Sequence, residues 1–420
     1  MIQTYELLPG VNLRVFADDR FKQNCLSIQF VRTMCQAEAS LNALLPAVLL
    51  RGCETAPDMR DIILRLDDLY GASMGALVRR VGDYQTTGIS CSFISDRFAL
   101  DGDRVLAPMV AFVRDILLAP VLEDGVFRKD YVDSEKKNLT ATIQAQKNDK
   151  RAYCSAQMLK KMCANDSYGI PRLGDVEGVA PITPQSLYDH YRKVLRESPV
   201  EICYVGQDPA GELKGLLTEL FSQISRDYVN LPPQTHFCSA GGGSYTETMD
   251  VAQGKLSMGF STQIDLRSGD FAAMQVCNAV FGSGMTSKLF MNVREKMSLC
   301  YDIGSSYTGS KGIMTVSAGI DCDKFDLVCE QIHAQLAAVC NGEITEEELS
   351  SAKEALLSGL RSTHDSPGSI EGYYANAALS GLTLTPQDYM EQVSTVDIPA
   401  VAAAAKTIQL DTVYFLKGVQ

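Results

Sequence analysis

Two prolines followed by three glycines, in the stretch Leu231–Ser244 (LPPQTHFCSAGGGS), can form neither a helix interior nor a central strand. They divide the 420 residues into halves of similar length, and the halves read alike. In the first, Gly88–Ile94 alternates apolar with small or polar residues, the pattern of a strand with one buried face, and a helical stretch Val105–Leu118 follows. In the second, Gly312–Ile320 alternates in the same way and is followed by a helical stretch Phe325–Val339. Each half also closes similarly. Thr183-Pro184 opens a helix before the strand Glu201–Val205, and Asp397-Ile398-Pro399 opens one before the strand Thr412–Leu416. Thr345-Glu346-Glu347-Glu348 is a capping box, followed by a stripe of Leu349, Ala352, Leu356 and Leu360. Strands and helices mix without strict alternation. The expected fold is therefore α+β: two homologous domains, each an antiparallel or mixed sheet covered by helices. The expected boundaries are 1–230, a linker at 231–244, and 245–420.

The residue inventory excludes several function classes. A net charge of −13 disfavours non-specific binding to nucleic acid or an anionic membrane surface. The longest apolar runs, such as Leu44–Leu50, fall far short of the ~18 residues of a membrane span. Residues Met1–Glu6 show no basic segment leading into an apolar one, and the thirteen cysteines contain no CxxC pair. Both features lead to an expected cytoplasmic location. The four histidines, His190, His236, His333 and His364, are too scattered for a local zinc pair. Asp321, Cys322 and Asp323, or His333 with Cys329, do not bring three ligands together locally either.

The most specific string runs from Gly282 to Tyr301 (GSGMTSKLFMNVREKMSLCY). A glycine-rich turn opens a helix with a charged face, and the chain then enters a strand-like segment, Tyr301–Tyr307. No lysine-serine pair follows the glycines in phosphate-loop register, so nucleotide binding is dismissed. In isolation, Arg294 would be read as a solvated side chain paired with Glu295 or Asp302.

The whole string closely resembles the C-terminal domain of the pitrilysin/insulinase-type zinc metallopeptidases, the group that includes mitochondrial processing peptidase. It matches at Gly282, Ser287, Leu289, Phe290, Arg294, Glu295, Leu299 and Tyr301. The family, like this chain, is built from two similar α+β domains, which form one half of a clamshell. The resemblance implies that Arg294 and Tyr301 hold substrate and help stabilise the oxyanion of the tetrahedral intermediate. A guanidinium and a phenol are donors suited to developing negative charge.

The same resemblance implies a loss in the first half. The family's catalytic helix carries HxxEH, two histidines on one helix face binding zinc and a glutamate activating the bound water. With Arg51-Gly52 fixing the register, the histidine positions are Ala43 and Ala47, and the glutamate position is Pro46. The third ligand position falls on Thr142, and the earlier acidic position on Glu135, which is expected to make a salt bridge. No zinc or other cofactor is therefore expected in this chain, which alone should not hydrolyse peptides.

The expected function is that of a zinc-less subunit of a heterodimeric metallopeptidase. It would lend Arg294 and Tyr301 to a homologous partner bearing the zinc motif. An extended peptide would bind by adding to an exposed sheet edge. The alternatives are a non-catalytic peptide-binding or scaffold homologue, including a homodimer, and a zinc peptidase in its own right. A slight preference for basic peptides follows if acidic residues line the site.

Overall fold

The structure, a computed structural model, describes residues 2–207, 209, 211–239 and 241–418. The first sheet contains β1 (Ile2–Leu8), β2 (Val11–Ala17), β3 (Gln23–Thr33), β4 (Ser73–Val81), β5 (Tyr84–Ile94) and β6 (Val200–Gly206), in the order β1-β2-β6-β3-β5-β4. The second contains β7 (Ser244–Met249), β8 (Gly254–Ser261), β9 (Cys300–Thr308), β10 (Ile313–Ile320) and β11 (Gln409–Gly418), in the order β7-β11-β8-β10-β9. Apart from β1, the wiring is the same. In each sheet the first and last strands along the chain pair in parallel, as β2 with β6 and β7 with β11, and the remaining pairs are antiparallel. The α+β reading therefore holds, with two sheet-containing halves covered by helices. The strands expected at Gly88–Ile94, Glu201–Val205, Tyr301–Tyr307 and Thr412–Leu416 lie within β5, β6, β9 and β11. Both threonine caps form, Thr183 with Ser186 and Thr345 with Glu348. Among the described residues no helix is long and apolar enough to cross a membrane.

The chain packs as two compact units, each assembled from three stretches of sequence. One comprises Met1–Gln144, Ile170–Pro233 and His364–Leu379; the other comprises Ala145–Gly169, Gln234–Thr363 and Ser380–Gln420. The interleaving follows from pleat geometry. Alternate side chains of a strand face opposite ways, so a sheet with apolar residues on both faces needs a cover on each.

In the first unit Leu26, Ile28, Ile89, Phe93, Ile202 and Tyr204 join the large core with helices Gln36–Leu49, Leu106–Leu118 and Pro184–Glu197. On the other face Phe16, Cys203 and Val205 pack against Ile370 and Ala375 of helix Pro367–Ser380. That helix carries a buried carboxylate, Glu371, only 3% exposed. It accepts two hydrogen bonds from Arg79 of β4, at 2.9 and 2.7 Å, and one from Ser27 of β3, at 2.6 Å. The second unit repeats the device. Leu256, Met258, Phe260, Val316 and Ile320 face the main core, while Ile313, Tyr414 and Leu416 meet Cys154, Met158 and Met162 of helix Lys150–Met162. Gly259 makes this approach possible, because a Cβ there would lie 2.5 Å from the sulfurs of both methionines.

Removing the Glu371 carboxylate leaves Arg79 unpaired against the sheet. Glu371→Ala should lower the unfolding free energy by about 3 kcal/mol, read from the urea midpoint. Glu371→Gln, which retains one acceptor, should cost less.

Candidate functional site

The helix in the zinc-motif register, Gln36–Leu49, runs through Pro46 without ending. Proline has no N–H, so the carbonyl four residues earlier, on Asn42, loses its helical partner. Thr87 of β5 supplies the replacement, its hydroxyl donating to the Asn42 carbonyl at 2.8 Å. Ala43 and Pro46 are buried and Ala47 is half-buried. The polar group nearest in sequence, the Asn42 side chain, is committed elsewhere. Its amide donates to Gln85 at 2.8 Å, and its oxygen lies 2.8 Å from Nε2 of His190. Burial pushes the His190 imidazole down to about 4, so it is held neutral.

On helix Lys129–Ala145, the Thr142 hydroxyl bonds back to the Asn138 carbonyl at 2.9 Å, and Glu135 makes an ion pair with Arg51 at 3.2 Å. Two alanines, a proline and a self-bonded threonine offer zinc neither imidazole nor carboxylate. The residues at these positions do not fit the metal the fold implies. No group of three His, Cys, Asp or Glu side chains placed to hold a metal occurs among the described residues.

The Arg294–Tyr301 string forms one device in the second unit. Residues Leu289–Lys296 wind as a π-helix rather than an α-helix, and Met297 N–H reaches back five residues to the Asn292 carbonyl. Ser298 then takes the left-handed conformation at φ +53°, a strained choice for a non-glycine residue and one that concentrates at functional sites. Tyr301 sits at a bulge in the β9–β10 ladder, where the register shifts between Cys300 and Asp302. Such a bulge re-aims a side chain, and Tyr301 is 62% exposed.

Arg294 fastens the turn to the bulge by donating from Nε to the Tyr301 carbonyl at 2.9 Å. Its guanidinium also pairs with Glu295 at 2.6 Å and stacks over Phe290 at 4.5 Å. Asp302 turns away to Arg151, at 2.8 Å. The Tyr301 hydroxyl donates to Asp321 at 3.2 Å, and Asp321 in turn pairs with Lys324 at 2.9 Å. That lysine, with the phenol, keeps the Asp321 carboxyl below its ordinary range. Arg294, Tyr301, Asp321 and Lys324 line a cleft of about 370 Å³.

A second cleft of similar volume is lined by Phe290, Gly282, Gly284 and the hydroxyls of Ser283, Ser305 and Ser306. Gly282 must be glycine: a Cβ there would stand 2.6 Å from the Ser305 hydroxyl, and its carbonyl accepts the Ser305 N–H at 2.9 Å. Together with the Arg294 contact to the Tyr301 carbonyl, this bond occupies outward backbone groups of β9, an edge strand. The sheet edge beside the arginine and tyrosine is thereby blunted. Sequence reading missed Asp321 as the phenol's partner, and it missed Thr87 and His190. Each is separated along the chain from what it serves, so no local pattern marks it.

Comparison with known proteins agrees with this geometry. A family model described as the peptidase M16 inactive domain matches residues 181–356. The chain is 28% identical over 411 residues to the probable inactive metalloprotease YmfF of Bacillus subtilis (strain 168), covering 98% of this chain and 96% of that protein. It superposes on a conserved protein from Enterococcus faecalis V583 with a TM-score of 0.93 and 29% identity, over 100% of this chain and 99% of that one. A peptidase M16 inactive domain from Pseudomonas fluorescens gives a TM-score of 0.82 at 18% identity, covering 100% and 98%.

Two stability measurements check the degenerate helix. Thr87→Val should cost about 1–3 kcal/mol by stranding the Asn42 carbonyl. It should cost much less in a Pro46→Ala background, where residue 46 regains a donor. Below the ordinary histidine pKa of about 6.5, the unfolded chain takes up a proton at residue 190 that the folded chain refuses until about pH 4. Stability contributed by neutral His190 is therefore lost as pH falls through that window. The stability gap between wild type and His190→Gln should narrow in parallel.

Proposed function

We propose that this chain, a catalytically incomplete homologue of the peptidase M16 family, serves as the zinc-less subunit of a heterodimeric metallopeptidase. In this reading it lends Arg294 and Tyr301 to the site of a zinc-bearing homologous partner. The observation that carries the proposal is the pairing of these two donors. A π-turn, a left-handed serine and a bulge hold an arginine and an exposed tyrosine together, where only a surface carboxylate uses the phenol. A fold that needed them only for packing would bury the ring.

In the assembled site Tyr301 O–H would turn from Asp321 toward the substrate carbonyl oxygen, and the guanidinium would face the same developing charge. Donors preorganised in this way are worth a few kcal/mol of barrier. Peptide binding, a cytoplasmic location and descent of both halves from one duplicated domain belong to the same proposal. The equal strand wiring and the thirteen free thiols support the last two.

The test is co-expression with the homologous chain carrying HxxEH. The pair should hydrolyse peptides that neither chain cleaves alone. Arg294→Ala and Tyr301→Phe should each lower kcat/KM by about 10²-fold without loosening the complex. Full activity in both variants would remove the proposed role. A stable homodimer that binds peptides, with no zinc-bearing partner, would favour a scaffold.

A further inference from the structure

We propose that the cleft beside the C-terminal half of helix Pro184–Glu197 binds an oxyanion carried on an apolar body, the chemistry of an aliphatic carboxylate. This cleft measures about 740 Å³, within the ~300–1,000 Å³ range of small-molecule sites. All of its lining belongs to the first unit, and it owes nothing to the Arg294–Tyr301 pair. Its apolar lining includes Leu118, Leu195 and Ile224. Along one wall stand Asp189, Arg192, Lys193 and Arg196. Their spacing of three, four and seven residues puts all four on one helix face. Three cations and one carboxylate line this wall.

The ordinary structural uses of these cations do not cover all of them. Lys193 pairs with Glu38 at 2.6 Å and Arg196 with Glu197 at 2.6 Å. Arg196 also lies in the last helical turn, where the macrodipole favours positive charge. Asp189, three residues before Arg192, accepts from Gln185 at 2.9 Å. Arg192 stands before that last turn, is exposed, and has no hydrogen bond or ion pair among the described residues. A planar fork of donors beside an apolar lining is the arrangement that holds a carboxylate while its hydrocarbon leaves water.

Isothermal titration of the full chain with decanoate, below its micelle concentration, tests the site. Inorganic phosphate serves as the charge-only probe and decanol as the apolar-only probe. Decanoate should bind saturably at one site per chain, about tenfold or more tighter than either control. Arg192→Glu should weaken it by at least about tenfold, and Arg192→Gln by less. The exposed position lets both variants fold, which their circular dichroism and Tm would verify. No saturable decanoate binding, equal affinity for decanol, or unchanged affinity in Arg192→Glu would each overturn the proposal.

Discussion

Everything in this molecule depends on covering both faces of each sheet. Each sheet carries apolar residues on its second face as well, because Phe16, Cys203 and Val205 in one and Ile313, Tyr414 and Leu416 in the other point away from the main cores. Each unit resolves this with one further helix, and in both cases the helix comes from the other half of the sequence. The first unit adds a fork of Arg79 on buried Glu371 to set the position of that helix. Burial of apolar area supplies the drive, and the carboxylate fixes the register.

The two candidate sites diverge chemically on matching scaffolds. The helix Gln36–Leu49 has been filled in. Where ligands are expected there are small side chains, a proline, and a hydroxyl from the next strand satisfying the carbonyl the proline stranded. The turn at Gly282–Tyr301 carries several costly elements: a π-wound segment, a strained serine, a bulge and an exposed ring. Strain persists only where the surroundings enforce it, so this contrast separates an unstrained helix from a turn held under tension. The guanidinium also pairs with Glu295, as its neighbours in sequence suggested, and this does not prevent its Nε from anchoring the bulge.

Much of this was legible in the residues. Alternation gave the strands, threonines and prolines gave the helix starts, and the glycine turn with its arginine and tyrosine marked the candidate cleft. These signals are local, with periods of two to four residues or a fixed short motif. What stayed hidden was non-local. The helix at Gly282–Tyr301 wound wider than an α-helix, because Met297 N–H bonds Asn292 rather than the residue four back. The accommodation of Pro46 inside its helix stayed hidden, since the compensating Thr87 lies 41 positions away on another element. The linker at 231–244 marks a break in the chain, while the packing is interleaved through helices Lys150–Met162 and Pro367–Ser380.

That interleaving has a consequence for how the protein is made. As the chain leaves the ribosome, the first sheet can form once β6 has emerged near residue 206, but the helix that covers its second face ends only at Ser380. For the time needed to synthesise some 170 further residues, at roughly 5–20 residues per second, that face stays bare. Cys25, Cys203 and Val205 are then open to solvent and to neighbouring chains. The first unit is complete only once Leu379 has emerged, shortly before β11 (Gln409–Gly418) completes the second, so the two units finish close together in translation.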